Sequence, residues 1–127
     1  MGDFYQNGII TTLHNLSNRP LPELEQELQT FSQQRPLGLI LPSLYSELEG
    51  AALPAIIEEL KPASYLSEIV IGLDRADASQ YRQALRFFGA LPQHHRVLWN
   101  DGPRLQALDK QLQSHDLAPR ELGKGRN

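Results

Sequence analysis

Four polar stretches of this chain carry side chains able to do chemistry. The first is Pro42-Ser43-Leu44-Tyr45-Ser46-Glu47, which follows the apolar run Leu37-Gly38-Leu39-Ile40-Leu41. A carboxylate just past a strand end can accept hydrogen bonds from ribose hydroxyls, and Tyr45 offers a ring to stack on a base or sugar. Equally, Ser46 or Glu47 can simply cap the next helix. The second stretch, Leu73-Asp74-Arg75-Ala76-Asp77, puts two acids and an arginine at another strand end. Asp74 there is placed either to recognise a base or ribose or to shape the turn, whereas Asp77 reads as a helix cap. In the third, Trp99-Asn100-Asp101-Gly102-Pro103-Arg104, Asn100 and Asp101 suit a turn, and Arg104 either reaches a phosphate or stays solvated. The fourth is Gly123-Lys124-Gly125-Arg126-Asn127. Its glycines let a backbone approach an anion, and the lysine between them supplies a point charge. Such a turn normally leads into a helix whose first amides complete the anion site.

Other chemistries are poorly served. The chain has no cysteine, which removes disulfides, thiolate metal sites and thiol nucleophiles together. His94 and His95 are neighbours on an extended segment, so their side chains point to opposite faces and do not share one ion. His14 and His115 have no ligand spacing to them. No nucleophile elbow, Walker loop or dinucleotide fingerprint is present, and Gly123-Lys124-Gly125 lacks the spacing of the last two. A net charge of -3 argues against sequence-independent nucleic-acid binding, which needs a cationic surface. The N-terminus has no signal-peptide pattern, and no apolar run approaches the roughly 20 residues of a membrane span. The expected setting is cytoplasmic, with neither membrane nor nucleic acid as a partner.

The elements that must position these loops follow from periodicity. One domain is the expected count for 127 residues of which 40% are apolar. Asn7-Gly8 precedes a strand-like run, Ile9–Leu13, and Pro20-Leu21-Pro22 stops whatever comes before it. Residues 22–33 read as a helix with Leu24, Leu28 and Phe31 on one face. From residue 36 the pattern alternates. Leu37–Leu41 is a buried strand ended by Pro42, and residues 50–61 are a helix carrying Leu53, Ile56, Ile57 and Leu60. Glu68–Leu73 is a second strand. Asp77 and Gln80 form a capping box for a helix presenting Tyr81, Ala84, Leu85 and Phe88. Arg96–Trp99 is a third strand, and Pro103 opens a helix bearing Leu105, Leu108 and Leu112, followed by a loop over 114–122. Strands alternating with helices of crossover length predict an α/β fold with an open parallel sheet, Rossmann-like, its ligands at the carboxyl ends of the strands. No internal repeat or low-complexity segment interrupts it.

The loops in this order, "LGLILPSLYSELEG", "EIVIGLDRAD", "VLWNDGPR" and "GKGRN", resemble the nucleotide-sugar half of GT-A-type glycosyltransferases. They resemble in particular the bacterial glucosyl-3-phosphoglycerate synthases and related enzymes of glucosylglycerate biosynthesis, from about residue 36 onward. The resemblance implies a retaining transfer of glucose from a nucleotide diphosphate donor, UDP-glucose, to 3-phosphoglycerate with a divalent metal, Mg or Mn. It places the donor nucleotide against Pro42, Leu44 and Glu47, with Asp74 at the base or ribose and Lys124 near the donor, in the phosphate turn formed with Gly123 and Gly125. Tyr45 and Ser46 depart from the asparagine and glutamate usual in the family. The family's aspartate-serine-glycine stretch near Asp74 is absent. In the family the acidic metal motif and the acceptor-binding part follow the glycine-lysine-glycine turn. The metal ligands are therefore expected outside these 127 residues, which on their own are expected not to transfer sugar. The catalytic residues are not identified.

The expected organisation is an N-terminal extension with one helix over residues 1–35, then a nucleotide-sugar-binding α/β domain over 36–127 that lacks its later strands. An incomplete sheet leaves open edges, which favour association, so a homodimer is expected. The rival reading is a non-catalytic α/β interaction or regulatory domain, in which the loop acids are caps and Lys124 lies on a frayed tail.

Overall fold

The computed structural model describes residues 19–117. The strand expected at Ile9–Leu13, the second half of the loop expected at 114–122 and the whole Gly123-Lys124-Gly125 turn lie outside the described residues.

Helix α1 (Leu21–Gln34) begins directly after Pro20, with Leu21 and Pro22 in its first turn, where missing or unpaired amide donors cost nothing. Arg19 folds back to bond Glu27 at 2.8 Å. No residue of α1 is buried, and Phe31 is 53% exposed, so the stripe of Leu24, Leu28 and Phe31 read from the sequence is not sunk into a core. Strand β1 (Leu37–Leu44) follows, then one stretch of 3-10 helix (Tyr45–Glu49) and helix α2 (Ala52–Leu60). Strand β2 (Leu66–Asp74), helix α3 (Ala78–Phe88), strand β3 (His94–Trp99) and helix α4 (Pro103–Ser114) complete the order.

The three strands form one parallel sheet in the order β1-β2-β3. Two successive crossovers that step the same way across a sheet, each right-handed, leave both connecting helices on one face. That is where α2 and α3 lie. Leu53 and Ile57 of α2 and Ala84 and Phe88 of α3 join Ile69, Ile71 and Leu73 of β2 in the core, flanked by Leu39, Leu41, Val97 and Trp99. The other face carries Ile40, 71% exposed, and Leu98, 47% exposed, with Pro42 facing Leu98 across Gly72. Farther down the same face, Glu68 is paired with both Arg96 and His94.

Two expectations are corrected by this half-covered sheet. Leu37–Leu41 is not a buried strand: it alternates between half-buried and exposed positions, because only one face is packed. Nor does the strand end at Pro42, since pairing runs on to Leu44 opposite Asp74. Among the described strands β1 has β2 as its single neighbour, and an edge strand accommodates a residue with no N–H to give.

The capping box read from the sequence is present. The Asp77 carboxylate accepts the amides of Ser79 and Gln80, each at 2.8 Å, and Gln80 accepts the amide of Asp77 at 2.8 Å. At the opposite end of the sheet Gln93 ties the α2 exit to β3. Its side-chain Nε2 donates to the carbonyls of Leu60 at 2.7 Å and Ala63 at 3.1 Å, the last helical residue and the loop beyond it.

Candidate functional site

The carboxyl ends of the strands bring three of the four loops together. Leu44 and Asp74 are partners in the register of β1 and β2, and Pro42 lies opposite Gly72. The Glu47 carboxylate turns back to accept the Leu44 amide at 3.0 Å, which closes the 3-10 stretch after β1. Pro42, Leu44, Glu47 and Asp74 thus gather at one end of the sheet. Lys124, Gly123 and Gly125 lie outside the described residues.

Pro42 and Glu47 line a cleft of about 500 Å³ between the end of β1 and the start of α2, together with Leu41, Ser46 and Leu53. Its volume falls within the range of small-molecule sites, about 300–1,000 Å³. Asp74 stands one strand away and is 8% exposed, with its Oδ1 accepting the amide of Arg75 at 3.0 Å. Arg75 has φ of 55°, a left-handed conformation that costs a non-glycine residue about 1–2 kcal/mol.

The loop after β3 packs against the loop after β2. Asp101 Oδ2 accepts the Ala76 amide at 3.0 Å, and Trp99 Nε1 donates to the Ala76 carbonyl at 2.7 Å. The indole lies flat on Tyr81 of α3, ring centres 4.9 Å apart and planes 7° from parallel. Gly102 sits so close that a Cβ there would come within 2.9 Å of the Trp99 ring and carbonyl oxygen. The Asn100 amide continues the sheet pattern by donating to the Leu73 carbonyl at 2.9 Å, and Asn100 is buried. Arg104 opens onto a second cleft of about 630 Å³, bounded by Trp99, Leu105 and Leu108 on the β3–α4 side, and is not gathered with Glu47 or Asp74.

Several sequence readings resolve here. Tyr45 is committed to structure, with its hydroxyl bonded to Gln83 of α3, so its ring is held toward that helix. Asp101, read as a turn-former, is a long-range hydrogen-bond acceptor. The bonds of Trp99 and Gln93 carried no local signal, because their partners lie 23 and 33 residues away for the shortest contact of each. The flat pairing of Tyr81 and Trp99 could have been suspected from one aromatic on a helix face and another at a strand end. His94 and His95 point apart as expected: His94 meets Glu68 on the open face, and His95 Nδ1 meets the Gln93 carbonyl.

The acids at this end of the sheet already serve the backbone: Glu47 bonds Leu44, Asp74 bonds Arg75, Asp77 bonds Ser79 and Gln80, and Asp101 bonds Ala76. Among the described residues no three His, Asp or Glu side chains come together in one cluster. Also among the described residues, no helix is long and apolar enough to cross a membrane.

Comparison with known proteins bears on this arrangement. No protein-family model matches the sequence, and no solved structure matches it. Two curated proteins do. The chain is 46% identical over 127 residues, its full length, to "Glucosyl-3-phosphoglycerate synthase" of Persephonella marina, of which it spans 32%. It is 37% identical over 106 residues to the protein of the same name from Methanococcoides burtonii, of which it spans 26%. The similarity to the first of these extends through the whole chain, and the chain spans between about a quarter and a third of the length of the two proteins named glucosyl-3-phosphoglycerate synthase.

Proposed function

We propose that this chain forms the donor-nucleotide portion of a retaining glucosyltransferase that moves glucose from UDP-glucose to 3-phosphoglycerate. The observation that carries this reading is the convergence of Pro42, Leu44, Glu47 and Asp74 at the carboxyl end of a parallel sheet, the end at which open α/β sheets take their ligands. The names of the two relatives support glucosyl-3-phosphoglycerate as the product, while the UDP-glucose donor and the retaining course belong to the proposal itself.

In this reading Pro42 and the apolar lining of its cleft pack against the uridine. The Glu47 carboxylate, already oriented by the Leu44 amide, uses its remaining lone pairs to accept from ribose hydroxyls. Asp74 reads the base or ribose from the adjacent strand. The described residues thus bind and orient the donor. A divalent ion would stabilise the leaving diphosphate when bound, but the chemistry assigned to these residues uses none. The chain alone is expected to bind nucleotide without transferring sugar.

One observation favours a second reading, an α/β interaction domain: Glu47 and Asp74 both make backbone hydrogen bonds that would serve a purely structural role. Calorimetric titration of the chain with UDP, with and without magnesium, separates the two. The donor reading expects saturable binding that depends weakly on magnesium and is lost in Glu47→Ala and Asp74→Ala. A folded chain that takes up no UDP leaves the interaction-domain reading.

A further inference from the structure

We infer that Trp99 and Asp101 are positioning residues for Asp74, acting through Ala76. The inference rests on the donor-site reading above. Ala76 is 4% exposed, and a buried peptide group must find partners for both its N–H and its carbonyl. Both partners come from the loop after β3: Asp101 takes the N–H at 3.0 Å and Trp99 gives to the carbonyl at 2.7 Å.

That loop needs an external hold. Arg75 is in the left-handed region, with φ of 55°, and its amide is turned onto the Asp74 carboxylate at 3.0 Å. A non-glycine residue persists there only when its surroundings over-determine it. The clamp on Ala76 does so from one side, and the pairing of β2 with β3 up to Leu73 and Trp99 does so from the other. Trp99 is itself fixed by stacking on Tyr81 and by the absence of a side chain at Gly102. The line of support therefore runs from Gly102 and Tyr81 through Trp99 to Ala76, and from there to the conformation of Arg75 and the carboxylate of Asp74. Trp99 and Asp101 set where that carboxylate points without touching the nucleotide.

Trp99→Phe is the informative variant, because it keeps a ring for Tyr81 and removes the N–H given to Ala76. Asp101→Ala removes the acceptor, and Asp101→Asn restores one through its amide oxygen. The full chain is titrated with UDP, and amide hydrogen exchange is followed at Arg75 and Ala76 and in the β2 core. In Trp99→Phe and Asp101→Ala, UDP affinity is expected to fall about five- to tenfold, the worth of one hydrogen bond. Exchange should quicken at Arg75 and Ala76 while Ile69 and Ile71 stay protected. Asp101→Asn should recover most of the affinity. Combining Trp99→Phe with Asp74→Asn should weaken binding no further than Asp74→Asn alone, since one acts through the other. Unchanged UDP affinity in both clamp variants, or additive losses in the double variant, overturns the inference and leaves the donor site standing. Failure of the unaltered chain to bind UDP overturns the donor reading first, and the role given to the clamp falls with it.

Discussion

Trp99 joins three parts of the carboxyl end of the sheet, and it is the chain's one tryptophan. Its ring contacts Tyr81, its indole N–H holds Ala76, and its carbonyl accepts the Gly102 amide at 3.0 Å. Gly102 is needed there for space and not for its backbone angle, which is an ordinary extended one. A methyl group at 2.9 Å from both ring and carbonyl must push one of them away. Gly102→Ala is therefore expected to destabilise the fold by about 1–3 kcal/mol, the usual cost of overpacking. The same substitution should shift the fluorescence of the single tryptophan in the folded state. Urea unfolding followed by that fluorescence checks both, and an unchanged midpoint would show that the loop yields without cost. The roles of Glu47 and Asp74 could be framed from sequence because a strand end followed by an acid is a local pattern. Their engagement with the amides of Leu44 and Arg75 is equally local. The Ala76 clamp was not legible, since nothing near residue 76 signals that residues 99 and 101 will meet it.

At the level of elements, the sequence was most informative where side chain and backbone settle matters within one turn. Asp77 and Gln80 announced the start of α3, and Pro103 that of α4. Asp77→Ala is expected to cost about 1 kcal/mol, because two amides of the first turn lose their acceptor. Thermal unfolding measures it, and a loss within experimental error would mean that solvent replaces the cap freely. Strand extents were less legible. β2 and β3 begin two residues before the Glu68 and Arg96 read from the sequence, at Leu66 and His94. Pairing is a property of the neighbour and not of the strand's own composition. For the same reason β1 continues through Pro42, which a reading of residue 42 in isolation takes as an end. The helix read over residues 22–33 is present as α1, with its stripe half-covered at Leu24 and Leu28 and exposed at Phe31. Periodicity reports that a face exists, but not that anything among the described residues covers it.

For the molecule as a whole, the sheet is built one-sided. Two helices cover one face and leave Ile40 and Leu98 exposed on the other, while the outer sides of β1 and β3 have no partner among the described strands. Exposed edges and apolar sheet faces promote association. The isolated chain is expected to self-associate with rising concentration, and Ile40→Lys should reduce this without loss of folded signal. Light scattering over a wide concentration range decides it, and a monodisperse monomer throughout would count against the expectation. The tie between the second and third loops also sets an order in time. A polypeptide emerges from its N-terminus, so β1, α2 and β2 exist as chain before Trp99 and Asp101 have been synthesised. Until those two residues appear, the Ala76 peptide has only solvent in place of its two folded-state partners. If Trp99 and Asp101 position Asp74 as inferred above, Asp74 is made well before the residues that set it in place. A nascent chain halted before residue 99 would contain the residues of β1 and β2 but neither of the two side chains that bond the Ala76 peptide.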